Sequence, residues 1–350
     1  MFRKTITEKQ SLALEIIIAC LFCFIPLTFN NPYRINIFLS CEGAYRMYLG
    51  QMPFPDYSLP MGYAYWVIPA LFFKIFGPTF YSVLKAEVLI NLVSILTFRS
   101  ILKMFNVQPV VILFSVVVLC FSYVSFNFWP WYNHVVIVYE MIAFYFVLRA
   151  ILINTDWKRW LNLALGAFFI FWSIWTKQDA GGMGLMIIYG ILTYNAWLDK
   201  SMEVWLAFSG FFLLFAAIFI LPLLQYDFLY WYNYGQFPHK SRLVLMDFLN
   251  HIVGWAYWEK FFLFIAVLFV LDKARAGRAF WVDKREVFFA FLTLTIILQA
   301  LIIPVTSPVP VKNEYFFYAF AFAYCMANLR LNVDLRRIPY VAICLALIVF

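Results

Sequence analysis

Two carboxylates and a guanidinium, Glu42, Arg46 and Asp56, stand in a stretch, residues 39–78, that reads LSCEGAYRMYLGQMPFPDYSLPMGYAYWVIPALFFKIFGP. A carboxylate can take the proton of an attacking hydroxyl. The acids are followed by an apolar, aromatic segment, residues 63–76, which is too short to cross a bilayer and suits a helix lying in the interface. Its Tyr63, Tyr65 and Trp66 suit the headgroup level, where amphipathic rings prefer to sit. A plain spacer has no need of acids beside an interfacial helix, whereas an enzyme acting on a lipid-linked substrate does. Asp56 can equally cap a turn in Pro55-Asp56-Tyr57, and Glu42 can be a solvated acid or a helix-cap partner.

Other groups could join this chemistry. Lys85 and Glu87 sit inside an apolar run, where charge is costly and marks function by default. Lys85 can also snorkel to the interface. Trp175-Thr176-Lys177-Gln178-Asp179-Ala180-Gly181-Gly182 lies at a helix end. A lysine there can meet a phosphate as a point charge, and the glycines permit a tight turn. The alternative is an ordinary polar turn. His134, beside Asn133, can be a base, a metal ligand or a hydrogen-bonded structural group. His239, Lys240 and Arg242 follow the aromatic run 226–234, which reads better as an aromatic belt with snorkelling cations than as a sugar platform.

The elements that must position these groups are membrane helices. Of 350 residues, 65% are hydrophobic, against 26 basic and 18 acidic ones. Soluble domains are roughly 45–50% apolar and about 25% charged, so a soluble fold is excluded. The 42 Phe, 22 Tyr and 13 Trp exclude disorder. A β-barrel would alternate apolar and polar residues, and these runs are continuous. The net charge of +8 does not point to nucleic acid, because the cations lie between apolar runs rather than on one face.

Apolar runs occupy residues 12–29, 79–104, 109–128, 134–153, 160–177, 181–198, 203–224, 259–272, 286–304 and 315–329, and an incomplete run covers 340–350. The first, preceded by Arg3, Lys4 and Lys9, reads as an uncleaved helix rather than a signal peptide. The expected fold is all-α, a polytopic helical membrane protein of ten full spans and the start of an eleventh. It forms a single module over residues 1–350, with part of the chain expected after residue 350. With the N-terminus in the cytoplasm, 17 of the 26 basic residues fall inside, as the positive-inside rule requires. The two large loops, 30–78 and 222–259, then face outward. No P-loop or GxGxxG motif occurs, so nucleotide-driven chemistry has no visible site. Neither a paired CxxC pattern nor Asp-x-Asp suggests a metal, and no cofactor is expected.

The first loop resembles that of the GT-C membrane glycosyltransferases, in particular the group of protein mannosyltransferases and aminoarabinose–lipid A transferases. The resemblance rests on Cys41-Glu42-Gly43-Ala44-Tyr45, then Gly50-Gln51-Met52-Pro53-Phe54-Pro55-Asp56, then Pro60-Met61-Gly62-Tyr63 and Phe76-Gly77. It covers about 40 residues as an ordered set after a first helix, on the length such a span fixes. The resemblance implies a GT-C-like fold and a sugar donor carried on a polyprenyl phosphate. It implies a lipid, glycan or protein acceptor and inverting displacement on the periplasmic side of a bacterial inner membrane. Glu42 would be the base, with Asp56 assisting. Lys85, Lys177 and Lys312 would hold the donor phosphate, and Tyr45, Arg46, Gln178, Asp179 and Tyr315 would contact substrate. The family often has Asp where this chain has Cys41, and a thiol ionises poorly at neutral pH. A polyprenyl-lipid flippase and a catalytically degenerate scaffold therefore remain alternatives. Polar richness in the loops rather than at mid-membrane argues against the flippase.

Overall fold

The computed structural model describes residues 5–29, 36–59, 61–234, 245–250, 253, 257–275, 277–306, 316–330 and 333–349. In chain order the helices are α1 (Glu8–Phe24), α2 (Asn36–Tyr48), α3 (Ala64–Phe76), α4 (Phe80–Met104), α5 (Pro109–Ser122), α6 (Tyr132–Leu152), α7 (Trp157–Ile174) and α8 (Gln178–Asp199). They continue with α9 (Glu203–Ile220), α10 (Phe228–Tyr234), α11 (Leu245–Asn250), α12 (Tyr257–Ala274), α13 (Arg278–Val282), α14 (Lys284–Thr306), α15 (Phe317–Asn328) and α16 (Ile338–Val349). Among the described residues, extended backbone pairs only at two isolated bridges, Thr5 with Arg337 and Pro53 with Tyr57.

Every apolar run read from the sequence becomes a helix. In lipid the backbone polar groups must be satisfied within the segment, which leaves the helix as the solution for continuous apolar runs. Among the described residues, six segments are long and apolar enough to cross a membrane: Glu8–Thr28, Phe80–Met104, Pro109–Phe126, Tyr132–Leu152, Glu203–Tyr226 and Lys284–Pro304. The chain is a polytopic helical membrane protein. Its helices start on local signals. Thr7 and Gln10 form a capping box before α1, and Thr79 and Asp156 cap α4 and α7.

Helix α6 is the centre of the bundle, buried along most of its length and packed on α4, α7 and α8. At the rim, α9 turns Val204 and Phe208 inward and leaves Leu206, Leu213, Leu214 and Ile218 on the outside, facing lipid. One end of the bundle is held by polar locks. Glu15 of α1 pairs with Arg99 of α4, and Ser11 donates to Pro109 O at 3.1 Å. Lys284 donates to Asp199 at 2.6 Å and to Asn195 at 2.8 Å, joining α14 to the end of α8.

The opposite end carries the first loop, and here the structure corrects two expectations. Cys41 and Glu42 lie on helix α2, not in irregular loop. The rings expected at the headgroup level are not surface rings: Tyr65 and Trp66 are turned inward, at 1% and 3% exposure, while Leu71, Ile75 and Phe76 face outward from α3. The cause is close packing at two glycines. A Cβ at Gly43 would fall 1.8 Å from Trp66, so α2 lies directly on the indole. A Cβ at Gly62 would fall 1.5 Å from the Trp175 carbonyl oxygen, so the loop lies on the backbone between α7 and α8. The Gly-x-Tyr and Met-Gly-Tyr pieces of the sequence thus have a packing reason of their own.

A third correction concerns polar groups inside the spans. Glu87, Asn91 and Ser94 share one buried face of α4, and His134 and Glu140 of α6 and Gln299 of α14 are also buried. The loops do not hold all of the polar chemistry.

The glycines give a direct test by thermal melting in detergent. Gly62→Ala must displace backbone rather than a flexible side chain, so it should cost about 2 kcal/mol or more. Gly210→Ala in α9 meets open space and should stabilise by about 0.5–1 kcal/mol. Equal melting temperatures for the two variants would contradict the packing described.

Candidate active site

Glu42 and Arg46 are one turn apart on α2, the spacing at which side chains on a helix meet. Arg46 donates to Glu42 Oε1 twice, from Nε at 3.0 Å and from Nη2 at 2.7 Å. Oε2 takes no hydrogen bond from the described residues. The guanidinium lies over the Tyr57 ring, 4.9 Å from its centroid, which fixes the pair against the loop. Glu42 remains 59% exposed. It opens onto a groove of about 570 Å³ lined by Phe38, Cys41, Tyr45, Phe73, Pro78, Thr79 and Phe80. The groove offers one carboxylate to an otherwise largely apolar surface.

Cys41 occupies the position where the resembled family often has an acid. Burial pushes its thiol up to about 11, so at neutral pH it is a small uncharged group that cannot share the work of Glu42. Burial also raises the phenols of Tyr63 and Tyr65, which keeps them neutral donors.

Asp56 stands apart from this groove. Its Oδ2 accepts from Met52 N at 2.6 Å, and its own N–H donates to Met52 O at 3.0 Å. It closes the turn that presents Phe54, whose backbone is left-handed at φ 74°. A bulky residue in that region is strained. The Phe54 ring is held by edge contact with Phe228 at 5.0 Å and by Trp175 at 6.2 Å.

Lys177 sits between α7 and α8, with little exposure. Its Nζ lies 3.6 Å from Asp179 Oδ2 and 5.9 Å from the centroid of Tyr132. Gln178 donates from Nε2 to Tyr232 O at 2.6 Å, and Asp179 accepts from Ala180 N at 2.8 Å. Lys177 is the N-cap of α8 and Gln178 and Asp179 open its first turn, where the helix dipole favours an anion. Lys85 is half-buried at the other side of α3, with Nζ 4.1 Å from the centre of the Phe76 ring.

Glu42 and Lys177 are therefore on the same end of the bundle but do not line one cavity. An aromatic ladder joins them. Tyr57 contacts Trp66 at 6.1 Å, Trp66 contacts Tyr65 at 5.0 Å, and Tyr65 contacts Tyr132 at 5.9 Å, beneath Lys177. Tyr45 is exposed and stacks on Tyr48 at 6.1 Å. Lys312 and Tyr315, like His239, Lys240 and Arg242, lie outside the described residues.

The sequence reading did not pair Glu87 with His134. Both were visible separately, one as a charge in a span and one at the start of α6. The structure sets His134 Nε2 2.9 Å from Glu87 Oε1. It also missed Glu140, which accepts from Gln299 Nε2 at 2.8 Å against a Gly184 that leaves it room. A lone acid in an apolar run was the available signal.

Neither a protein-family model nor a curated protein matches the sequence. The fold is similar to two crystal structures of ArnT from Cupriavidus metallidurans. To the apo structure the TM-score is 0.61 at 12% identity, over 90% of this chain and 59% of ArnT. To the structure bound to undecaprenyl phosphate it is 0.62 at 11% identity, over 96% of this chain and 63% of ArnT. This chain thus spans about three-fifths of the length of ArnT. It has a GT-C-like fold, as the first loop implied.

The buried thiol gives a test at the groove. In a chain whose five other cysteines are replaced by alanine, Cys41 should alkylate at pH 8 roughly 10- to 100-fold more slowly than a free cysteine, after allowing for its greater intrinsic nucleophilicity. Its rate should keep rising past pH 9, where a free thiol levels off. A plateau by pH 9 would show an ordinary thiol.

Proposed function

We propose that this chain is the membrane module of a glycosyltransferase that moves a sugar from a polyprenyl-phosphate donor to an acceptor hydroxyl. The observation that carries this reading is the geometry of Glu42. Arg46 donates twice to one of its oxygens, its side chain lines a largely apolar groove, and the fold is similar to that of a protein whose solved structure holds undecaprenyl phosphate.

In this reading the acceptor oxygen attacks the anomeric carbon, and its proton passes to Glu42 Oε2. The bond from the anomeric carbon to the donor phosphate breaks, and the phosphate leaves with the polyprenyl chain. The displacement inverts the centre. Arg46 keeps Glu42 oriented and stays bonded to Oε1 throughout. Lys177, with the dipole of α8 behind it, would offset the charge on the leaving phosphate. Lys85 would act from the α3 side. The turn-closing bonds of Asp56 support a positioning role in the first loop. The N-terminus would be cytoplasmic and the site periplasmic, in a bacterial inner membrane. Partners would be the lipid donor, membrane lipids and a lipid, glycan or protein acceptor.

The buried acids of α4 and α6 bear on the flippase alternative, because a transporter places polar groups at the bilayer midplane. Here Glu87, His134, Glu140 and Gln299 are sealed by neighbouring helices at 2% exposure or less. That burial favours packed interior groups over a lipid-headgroup path.

The test is transfer by the full chain in membranes from a panel of radiolabelled polyprenyl-phosphate sugars. A general base contributes roughly 10²–10⁴-fold, so Glu42→Gln should lower transfer by about that factor at unchanged protein level. Asp56→Asn should retain activity near wild type. Absence of transfer by wild type from every donor, with the labelled lipid still bound, would overturn the reading in favour of a degenerate relative.

A further inference from the structure

The transfer chemistry leaves one buried pair unused. Glu87 and His134 have no side-chain exposure, and their Oε1 and Nε2 atoms lie 2.9 Å apart. The pair joins α4 to the first turn of α6. Side chains around the pair bond to backbone: Tyr123 OH donates to His134 O at 3.1 Å, Asn127 Nδ2 donates to Tyr123 O at 2.8 Å, and Asn91 Nδ2 donates to Asn127 O at 3.3 Å. Among the described residues, the other titratable groups facing Glu87 are Tyr123, just after α5, and Cys23 of α1.

What precedes His134 in the chain carries both halves of the candidate site. Ser40, two residues before Glu42, donates to Pro130 O at 2.5 Å. Trp129 and Trp131 are buried in one cluster with Ile37 and Ala44 of α2. Tyr132 lies beneath Lys177 and meets Tyr65 edge to face at 5.9 Å. His134 N and Val135 N both donate to Trp131 O, at 2.9 and 2.8 Å, so the turn and the start of α6 move as one.

We propose that the Glu87–His134 pair is a positioning element of the outer site: it seats the start of α6, and through the turn at 129–132 it sets the place of Glu42 and of Lys177. The catalytic part of this inference rests on the transferase reading; the mechanical part does not. A purely structural role makes a different statement. Breaking a buried pair by removing one partner destabilises, but replacing both partners by apolar groups of similar volume is often neutral or stabilising. The replacement therefore separates packing from positioning.

The experiment uses the full chain with Glu87→Gln, His134→Gln, the exchange Glu87→His/His134→Glu, and the apolar double variant Glu87→Leu/His134→Phe. It reads melting temperature, kcat and KM for the polyprenyl-phosphate sugar. It also reads maleimide labelling of Cys41 in a chain whose other cysteines are alanine. A misplacement of about 1 Å can cost on the order of a hundredfold, so each single variant should lose roughly that in kcat with KM little changed. Cys41 labelling should change several-fold, because α2 has shifted. The apolar double variant should regain the melting temperature and not kcat or wild-type labelling, and the exchange should regain part of both. Recovery of kcat and labelling together with melting temperature in the apolar variant would overturn the proposal. If wild type transfers no sugar, the transferase reading fails. Labelling then decides on the same terms, with wild-type labelling in the apolar variant rejecting the pair as a positioning element.

Discussion

The missing side chain at Gly62 is the constraint on which the outer end of this protein depends. Because nothing projects there, the first loop lies on the peptide between Trp175 and Thr176. The Trp175 ring then becomes the centre of an aromatic cluster, with Tyr63 at 5.6 Å, Phe228 at 5.4 Å and Tyr232 at 5.5 Å. Tyr232 returns a hydrogen bond to Ile174 O at 2.9 Å. Segments from three parts of the chain thereby share one anchor. The strain of Phe54, about 1–3 kcal/mol for a residue in that backbone region, is held by the same cluster.

Lipid as solvent explains why so many aromatic residues are present and where they go. Helices in a bilayer gain little from hiding apolar surface, since the tails are equally apolar. Their association rests on close packing and on internal hydrogen bonds. Phe98 meets Phe320 edge to face at 4.8 Å, and Phe105 stacks on Phe289 at 4.8 Å. The same logic places Glu87, His134 and Glu140 on the inside faces of their helices, where a partner exists and lipid does not. A polar group that costs free energy in lipid becomes a specific joint between helices.

At the candidate site the decisive feature is asymmetry within one carboxylate. An arginine that bonded both oxygens of Glu42 would lower the basicity of both. Arg46 instead places two N–H groups on one oxygen, because its side chain comes from one turn away on the same helix and is pinned by Tyr57. Orientation is thus supplied locally by α2, while the height of α2 is set by the turn before α6.

The sequence by itself determined the class and the elements. Continuous apolar runs admit no other secondary structure in lipid, and so, among the described residues, each apolar run from 12–29 to the short one that begins at 340 forms a helix. The ordered pieces around Glu42 and Gly62 also pointed to the fold correctly, since a glycine demanded by packing leaves its mark at a definite position. What only the tertiary structure decided is which faces meet. Period and composition do not say that α4 lies beside the start of α6, so the pairing of Glu87 with His134 was invisible. They do not distinguish an indole on a surface from one packed under a helix, so the burial of Trp66 against the bare backbone of Gly43 was not legible. Nor do they say whether an acid in a Pro-rich turn faces a substrate or its own backbone, and for Asp56 the amide of Met52 is the nearer partner. Contacts between distant segments are set by shape at close approach, and a linear pattern carries that information only where it must leave out a side chain.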